Sequence, residues 1–174
     1  MRSINLSDLH LARARLKGAD LSRVDLGGAD LSWSTLQGAD LSDSRLWRVN
    51  LTRAWLEKAN LTRAWLREAD LAEARLIGAD LTDAKMGAAN LADADLTGAR
   101  LDGADLQDSS PPAIPDSREA NLAGARLVDA DLKSASVSIA QVLVATLGGD
   151  SRLPSEVAAD PLVSARLAPA TPSD

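Results

Sequence analysis

Leucine recurs at every fifth residue from Leu6 to Leu106, with Met86 the one substitution, and a small apolar residue usually stands two places before it. In an α-helix a five-residue step advances about 500 degrees, about 140 degrees past a full turn, so these leucines would wind around the whole cylinder without forming a stripe. A long amphipathic helix is therefore excluded. In Ala19 and Leu21, Ala29 and Leu31, Ala39 and Leu41, and Ala59 and Leu61 the apolar pair is two residues apart, the spacing of an extended segment that turns one face inward. A unit this short cannot bury its leucine alone. It gains stability only by stacking on copies of itself, which is the logic of a solenoid.

The string A-[D/N]-L-[S/T]-x, seen in Ala19 to Arg23, Ala29 to Trp33, Ala39 to Asp43 and Ala59 to Arg63, resembles the pentapeptide-repeat proteins. The resemblance runs through the chain to residue 106 and resumes at Ala120. It implies an all-β solenoid, a right-handed quadrilateral parallel β-helix with four pentapeptides per coil, in which the central Leu and the residue two before it point inward. A ten-residue alternation, A-[D/N]-L-[S/T]-x followed by [A/S/V]-x-L-x-[G/x], fits four sides, because opposite walls of a square are then chemically alike.

Residues 1–106 form the regular array. The segment 107–119, QDSSPPAIPDSRE, holds three prolines and no leucine, so it reads as a loop inserted into the coil. Such a loop is either a tolerated surface insertion or a projection that contacts a partner, as in some quinolone-resistance members of the family. The final repeats, 120–137, place Leu122, Leu127, Leu132 and Val137 one residue out of the earlier register. In 138–149, Ser138 with Gln141 resembles a capping box and Gly148 with Gly149 a left-handed stop, which predicts a capping α-helix over 139–147. Its apolar residues, among them Ile139, Val142, Leu143 and Leu147, cover an arc of about 200 degrees, wider than the roughly 100 degrees that one contact surface needs. One side is expected to plug the coil and the other to join a second subunit as a homodimer. The tail, 150–174, is expected to pack through Leu153 and then fray.

Hydrophobic residues make up 45% of the chain, yet Phe, Tyr and Cys are absent and four Trp are the only aromatics, as suits a narrow tube filled by Leu and Ala. Without cysteine there is no disulfide or zinc framework. No secretory signal opens the sequence, and no apolar run reaches the roughly 20 residues needed to cross a bilayer, so a cytoplasmic protein is expected. His10 is the only histidine, at an outward repeat position, and there is no P-loop, dinucleotide fingerprint or nucleophile elbow. Neither an enzyme nor a cofactor or metal site is expected.

The net charge of −6 is unevenly spread: residues 41–68 carry three acids and six bases, whereas 69–108 carry nine acids and three bases. Several members of the family resemble duplex DNA to type II topoisomerases. That likeness implies DNA mimicry toward DNA gyrase or topoisomerase IV through an acidic surface of Asp70, Asp80, Asp83, Asp93, Asp95, Asp102 and Asp105, with antibiotic resistance as a consequence. The alternative is a scaffold or adaptor that uses an outward Trp and Arg patch of Trp33, Arg45, Trp47, Arg53, Trp55, Trp65 and Arg67, since these residue types anchor interfaces. Twenty-residue stacking sets Trp33 beside Arg53, Trp47 beside Arg67, and Trp65 between Arg45 and Lys85. Direct nucleic-acid binding is not expected of an acidic chain without a binding motif. Each Asp also has a local role available, accepting hydrogen bonds from backbone groups at a corner.

At roughly 1.5–3 kcal/mol for each buried leucine, the leucine column is the dominant stabilising contribution, and a charge inside it is left unpaired. Leu61→Asp is expected to abolish cooperative folding, which thermal melting followed by circular dichroism checks.

Overall fold

The computed structural model describes residues 4–106, 122, 125, 127, 132, 139–147 and 151–167. From Asn5 to Asp105 the backbone forms seventeen bridges, all parallel and all between residues twenty apart, which sets four pentapeptides to each coil. The four sides of the tube run through the bridge residues. The first side carries Asn5, Asp25, Arg45, Trp65, Lys85 and Asp105; the second His10, Asp30, Asn50, Asp70 and Asn90; the third Arg15, Thr35, Trp55, Arg75 and Asp95; the fourth Asp20, Asp40, Asn60, Asp80 and Arg100. The second and fourth sides, which face away from each other, are the chemically matched pair that the ten-residue alternation predicts.

Each side is one extended step followed by a tight turn. The residue two after each leucine has φ between 55° and 68° at every corner from Asp8 to Gly103, while the residue before it has none of this positive φ. A single positive φ at the third turn position, with hydrogen bonds such as Ala14 N–H to the Leu11 carbonyl at 3.0 Å, is the type II turn. Fourteen of these corners hold residues other than glycine. A left-handed L-residue costs about 1–2 kcal/mol, so stacking must hold each corner against its local preference.

The interior contains the predicted column. Leu26 through Leu106, with Met86, are fully buried, and the residues two before them, nearly all Ala, are buried alongside. Leu122, Leu127 and Leu132 join the same core. The inserted loop, 107–119, lies outside the described residues.

The C-terminal part departs from expectation in two respects. The capping helix, α1, spans Ile139–Val144 and stops short of Leu147. Thr146 returns to the ladder, donating to the Ala125 carbonyl and accepting from Leu127 N–H, both at 2.7 Å, so the coil's pairing ends the helix. Ser138, Gly148 and Gly149 lie outside the described residues. Gln141 is buried and its Nε2 donates to the Leu106 carbonyl at 3.2 Å, which seats the helix on the end of the regular coils. The described part of the tail continues in helices beyond Leu153. It forms α2, Ser155–Ala158, and α3, Pro161–Leu167, which bury Val157 and Val163, and α3 packs on α1. The signal for α3 was present in the sequence: Asp160 accepts from the N–H groups of Leu162 (2.9 Å) and Val163 (3.4 Å), and Pro161 opens the helix.

Two serines replace alanine at inward positions, and only one is satisfied. The Ser44 hydroxyl donates to the Leu41 carbonyl at 2.5 Å, whereas the Ser34 hydroxyl is buried without a partner. Ser34→Ala is expected to stabilise the fold by about 1 kcal/mol, and Ser44→Ala is not; paired denaturant titrations check this.

Candidate functional site

With the interior filled, side chains that could act on another molecule lie on the outside, in columns twenty residues apart. On the second and fourth sides the column residue is Asp or Asn with few exceptions. The Oδ1 of Asp20, Asp30, Asp40, Asn50, Asn60, Asp70, Asp80 and Asn90 accepts from the backbone N–H two residues on, which ties the side chain to the turn that follows. Rows of like charge are broken by asparagine: Asn50 donates to Asp30 at 3.1 Å, Asn60 to Asp40 and Asn90 to Asp70, both at 3.0 Å. The local role of these residues is thus part of the fold itself.

The predicted acidic surface is not one face. Asp70 lies on the second side, Asp95 on the third, Asp80 on the fourth and Asp105 on the first, while Asp83, Asp93 and Asp102 occupy corners. They form a belt around the later coils, and Asp80 pairs with Arg100 at 3.2 Å. Charge counted along the chain does not report direction around the axis.

The Trp and Arg patch divides in the same way. Trp33, Arg53 and Trp55 lie about the third side and its preceding corner, whereas Arg45, Trp47, Trp65 and Arg67 lie about the first. Three of the four rings are covered by a guanidinium that also binds a carboxylate. Arg53 lies 4.8 Å from the Trp33 ring centre and makes two bonds to Glu73, at 2.7 and 2.8 Å. Arg75 covers Trp55 at 5.5 Å and reaches Glu57 at 2.8 Å. Arg48, the neighbour of Trp47 in sequence, covers that ring at 5.6 Å and bonds Glu68 at 2.7 Å, a contact that twenty-residue stacking did not single out. Gly27 makes room for this ring, since a Cβ there would collide with the Trp47 Nε1.

Trp65 is different. It is 58% exposed, the most of the four, and among the described residues no guanidinium lies over its ring. Its bridge partners are Arg45 and Lys85, as expected. Arg45 is 3.6 Å from Asp25, and Lys85 has no ion pair among the described residues. Trp65 and Lys85 line a shallow open recess of about 380 Å³ together with Asp43, Arg63 and Asp83. On this corner Arg63 is bound to Asp43 through two contacts, at 2.7 and 2.8 Å.

A family model described as pentapeptide repeats matches in eight copies, over residues 1–38, 36–72, 44–83 and 74–110. The chain belongs to the pentapeptide-repeat family. Solved relatives have the right-handed β-helix of that family. HetL, a pentapeptide repeat protein involved in heterocyst differentiation regulation in the cyanobacterium Nostoc, is 30% identical; the match covers 87% of this chain and 83% of HetL with a TM-score of 0.28. A pentapeptide repeat protein from the Arabidopsis thaliana thylakoid lumen is 35% identical over 61% of this chain and just under two thirds, 66%, of its own length, with a TM-score of 0.41. Full-length QnrB1, a plasmid-mediated fluoroquinolone resistance protein, shares the fold at 17% identity, 88% and 85% coverage and a TM-score of 0.50. No curated protein matches the chain in sequence. Members of the family are generally binding or structural proteins without catalysis. No helix among the described residues is long and apolar enough to cross a membrane.

Four carboxylates are held below their ordinary range. In Asp43 and Glu73 the first cause is the hydrogen bond from Arg63 and Arg53 respectively; in Asp20 it is the Ser22 hydroxyl and in Asp30 the Ser32 backbone N–H. A carboxylate with a lowered folded pKa adds stability that is present above its unfolded pKa and is lost as pH falls toward the folded value. The melting temperature is expected to drop as pH is lowered from about 6 to about 3, and the drop is expected to shrink in Arg53→Gln/Arg63→Gln; scanning calorimetry at several pH values checks both.

Proposed function

We propose that this protein is a non-catalytic binding rod that holds a protein partner on the side carrying Arg45, Trp65 and Lys85. The observation that supports this most is the contrast among the tryptophans. Arginines within the fold cover Trp33, Trp47 and Trp55, whereas Trp65 presents an open ring between two cations. An aromatic or aliphatic side chain next to a carboxylate fits such a surface: the apolar group lies on the ring and the carboxylate meets Lys85 or Arg45. A rigid wall suits the role, because little conformational entropy is lost when a preformed surface binds.

A second reading, DNA mimicry toward DNA gyrase or topoisomerase IV, is supported by the carboxylate rows on the second and fourth sides. The column residues recur about every 4.8 Å along the rod, against one phosphate for about every 3.4 Å of helix axis on each DNA strand. QnrB1, the fluoroquinolone resistance protein, has the same fold. Against this reading, Asn50, Asn60 and Asn90 interrupt the rows and Arg100 neutralises Asp80.

Trp65→Ala/Lys85→Glu is expected to weaken capture of the partner by about 30-fold while the melting temperature is preserved, the size expected of an interface hot spot. A supercoiling assay with gyrase and a fluoroquinolone separates the readings. Inhibition or drug protection that survives Trp65→Ala/Lys85→Glu and disappears in Asp80→Asn/Asp83→Asn/Asp95→Asn establishes the second reading and removes the first.

A further inference from the structure

The side that carries Trp65 is a column of ordered charge. Asp25, Arg45, Trp65, Lys85 and Asp105 follow one another through parallel bridges, so successive members stand about 4.8 Å apart along the axis. Read along the tube, the order is acid, base, ring, base, acid. Arg48, Arg53, Arg63 and Arg75 hold carboxylates at 2.7 or 2.8 Å. Arg45 has a longer contact, 3.6 Å to Asp25, with 62% of its side chain exposed. Lys85 is exposed and makes no ion pair among the described residues. The two cations that flank the open ring thus remain available.

The spacing of this column selects the backbone that can follow it. From Asp25 to Asp105 the column measures about 19 Å. An extended segment laid along the axis turns alternate residues to the wall and needs about 26 Å to present five of them, so it overshoots by about one and a half rungs. A helix presents five residues on one face in steps of four, three, four and three, over about 21 Å. Each of them then stays within about 1 Å of a rung. Only the helical repeat keeps pace with the ladder.

We infer that the partner presents an α-helix that lies along the tube axis over this column. Its central apolar residue rests on Trp65, in the recess of about 380 Å³ that Arg63 and Lys85 also line. An acid one turn to either side meets Arg45 and Lys85. A further turn out the helix carries basic residues, because Asp25 and Asp105 repel a carboxylate there. The charge order of the column therefore fixes the register of the helix as well as its direction along the wall. This inference rests on the reading of the Trp65 side as a partner surface, and adds to it the partner's secondary structure and the order of its charges.

Heteronuclear NMR of the four Trp indole N–H groups in the full chain tests this with synthetic peptides. The first probe is an alanine-rich helical peptide of about 20 residues with Lys, Glu, Leu, Glu and Lys in steps of four, three, four and three. The second carries the same five residues at alternate positions of a threonine-rich, extended peptide. The third is the helical peptide with Glu and Lys exchanged. The first is expected to shift the Trp65 signal with a Kd below about 1 mM, and the other two to bind at least about tenfold more weakly. Lys85→Glu, at an exposed position, is expected to remove the preference for the first peptide over the third. Equal or tighter binding of the extended peptide overturns the helix and leaves the Trp65 surface standing. An unmoved Trp65 signal with all three up to about 5 mM also overturns the inference; partner capture that is unchanged in Trp65→Ala/Lys85→Glu is the separate result that removes the surface itself.

Discussion

The parallel hydrogen-bond ladder between residues twenty apart is the constraint on which the rest of the structure depends. Each coil contributes one bridge residue per side, and that residue directs donor and acceptor to the coil before it. No coil is satisfied alone. Stacking holds the backbone in register and keeps the leucine column continuous. It also holds fourteen corner residues other than glycine in a left-handed conformation that L-residues otherwise avoid.

The same ladder makes the exterior a set of columns, and neighbours within a column decide what each side chain is free to do. Asp30 and Asp70 would stand in a row of like charge if Asn50 and Asn90 did not alternate with them and donate to them. Arg53 holds Trp33 on one coil and Glu73 on another, so one guanidinium ties three coils together. Surface ion pairs contribute little singly, at most about 1 kcal/mol, but here they set the orientation of the wall's large side chains. Trp65, between Arg45 and Lys85, is a large group that this internal accounting leaves open.

A solenoid has two ends, and each must meet water, its own chain or another molecule. The C-terminal end is closed from within: the arc of α1, too wide for one surface, is met by the coil on one side and by α3 on the other. Among the described residues, Leu6, Leu11, Leu16 and Leu21 of the first coil are only partly buried, although their repeat positions match those of the fully buried leucines.

The five-residue period by itself determined the tube and its inward residues, because a short repeated unit buries its leucines only by stacking; four units per coil, and with them the residues that stack, were what the resemblance to the pentapeptide-repeat family implied. The period left all four Trp outside, and the four-sided coil implied by the resemblance set Trp33 beside Arg53. What it did not contain was direction around the axis. Asp70 and Asp80 lie ten residues apart in sequence and on opposite sides of the square, so an acidic segment became a belt; Trp33 and Trp47 parted in the same way. Nor did it show that Arg48 covers Trp47, that α1 ends where Thr146 rejoins the ladder, or that the tail folds into α2 and α3. Only the tertiary structure decided these matters, because each depends on contacts between segments that local pattern does not relate.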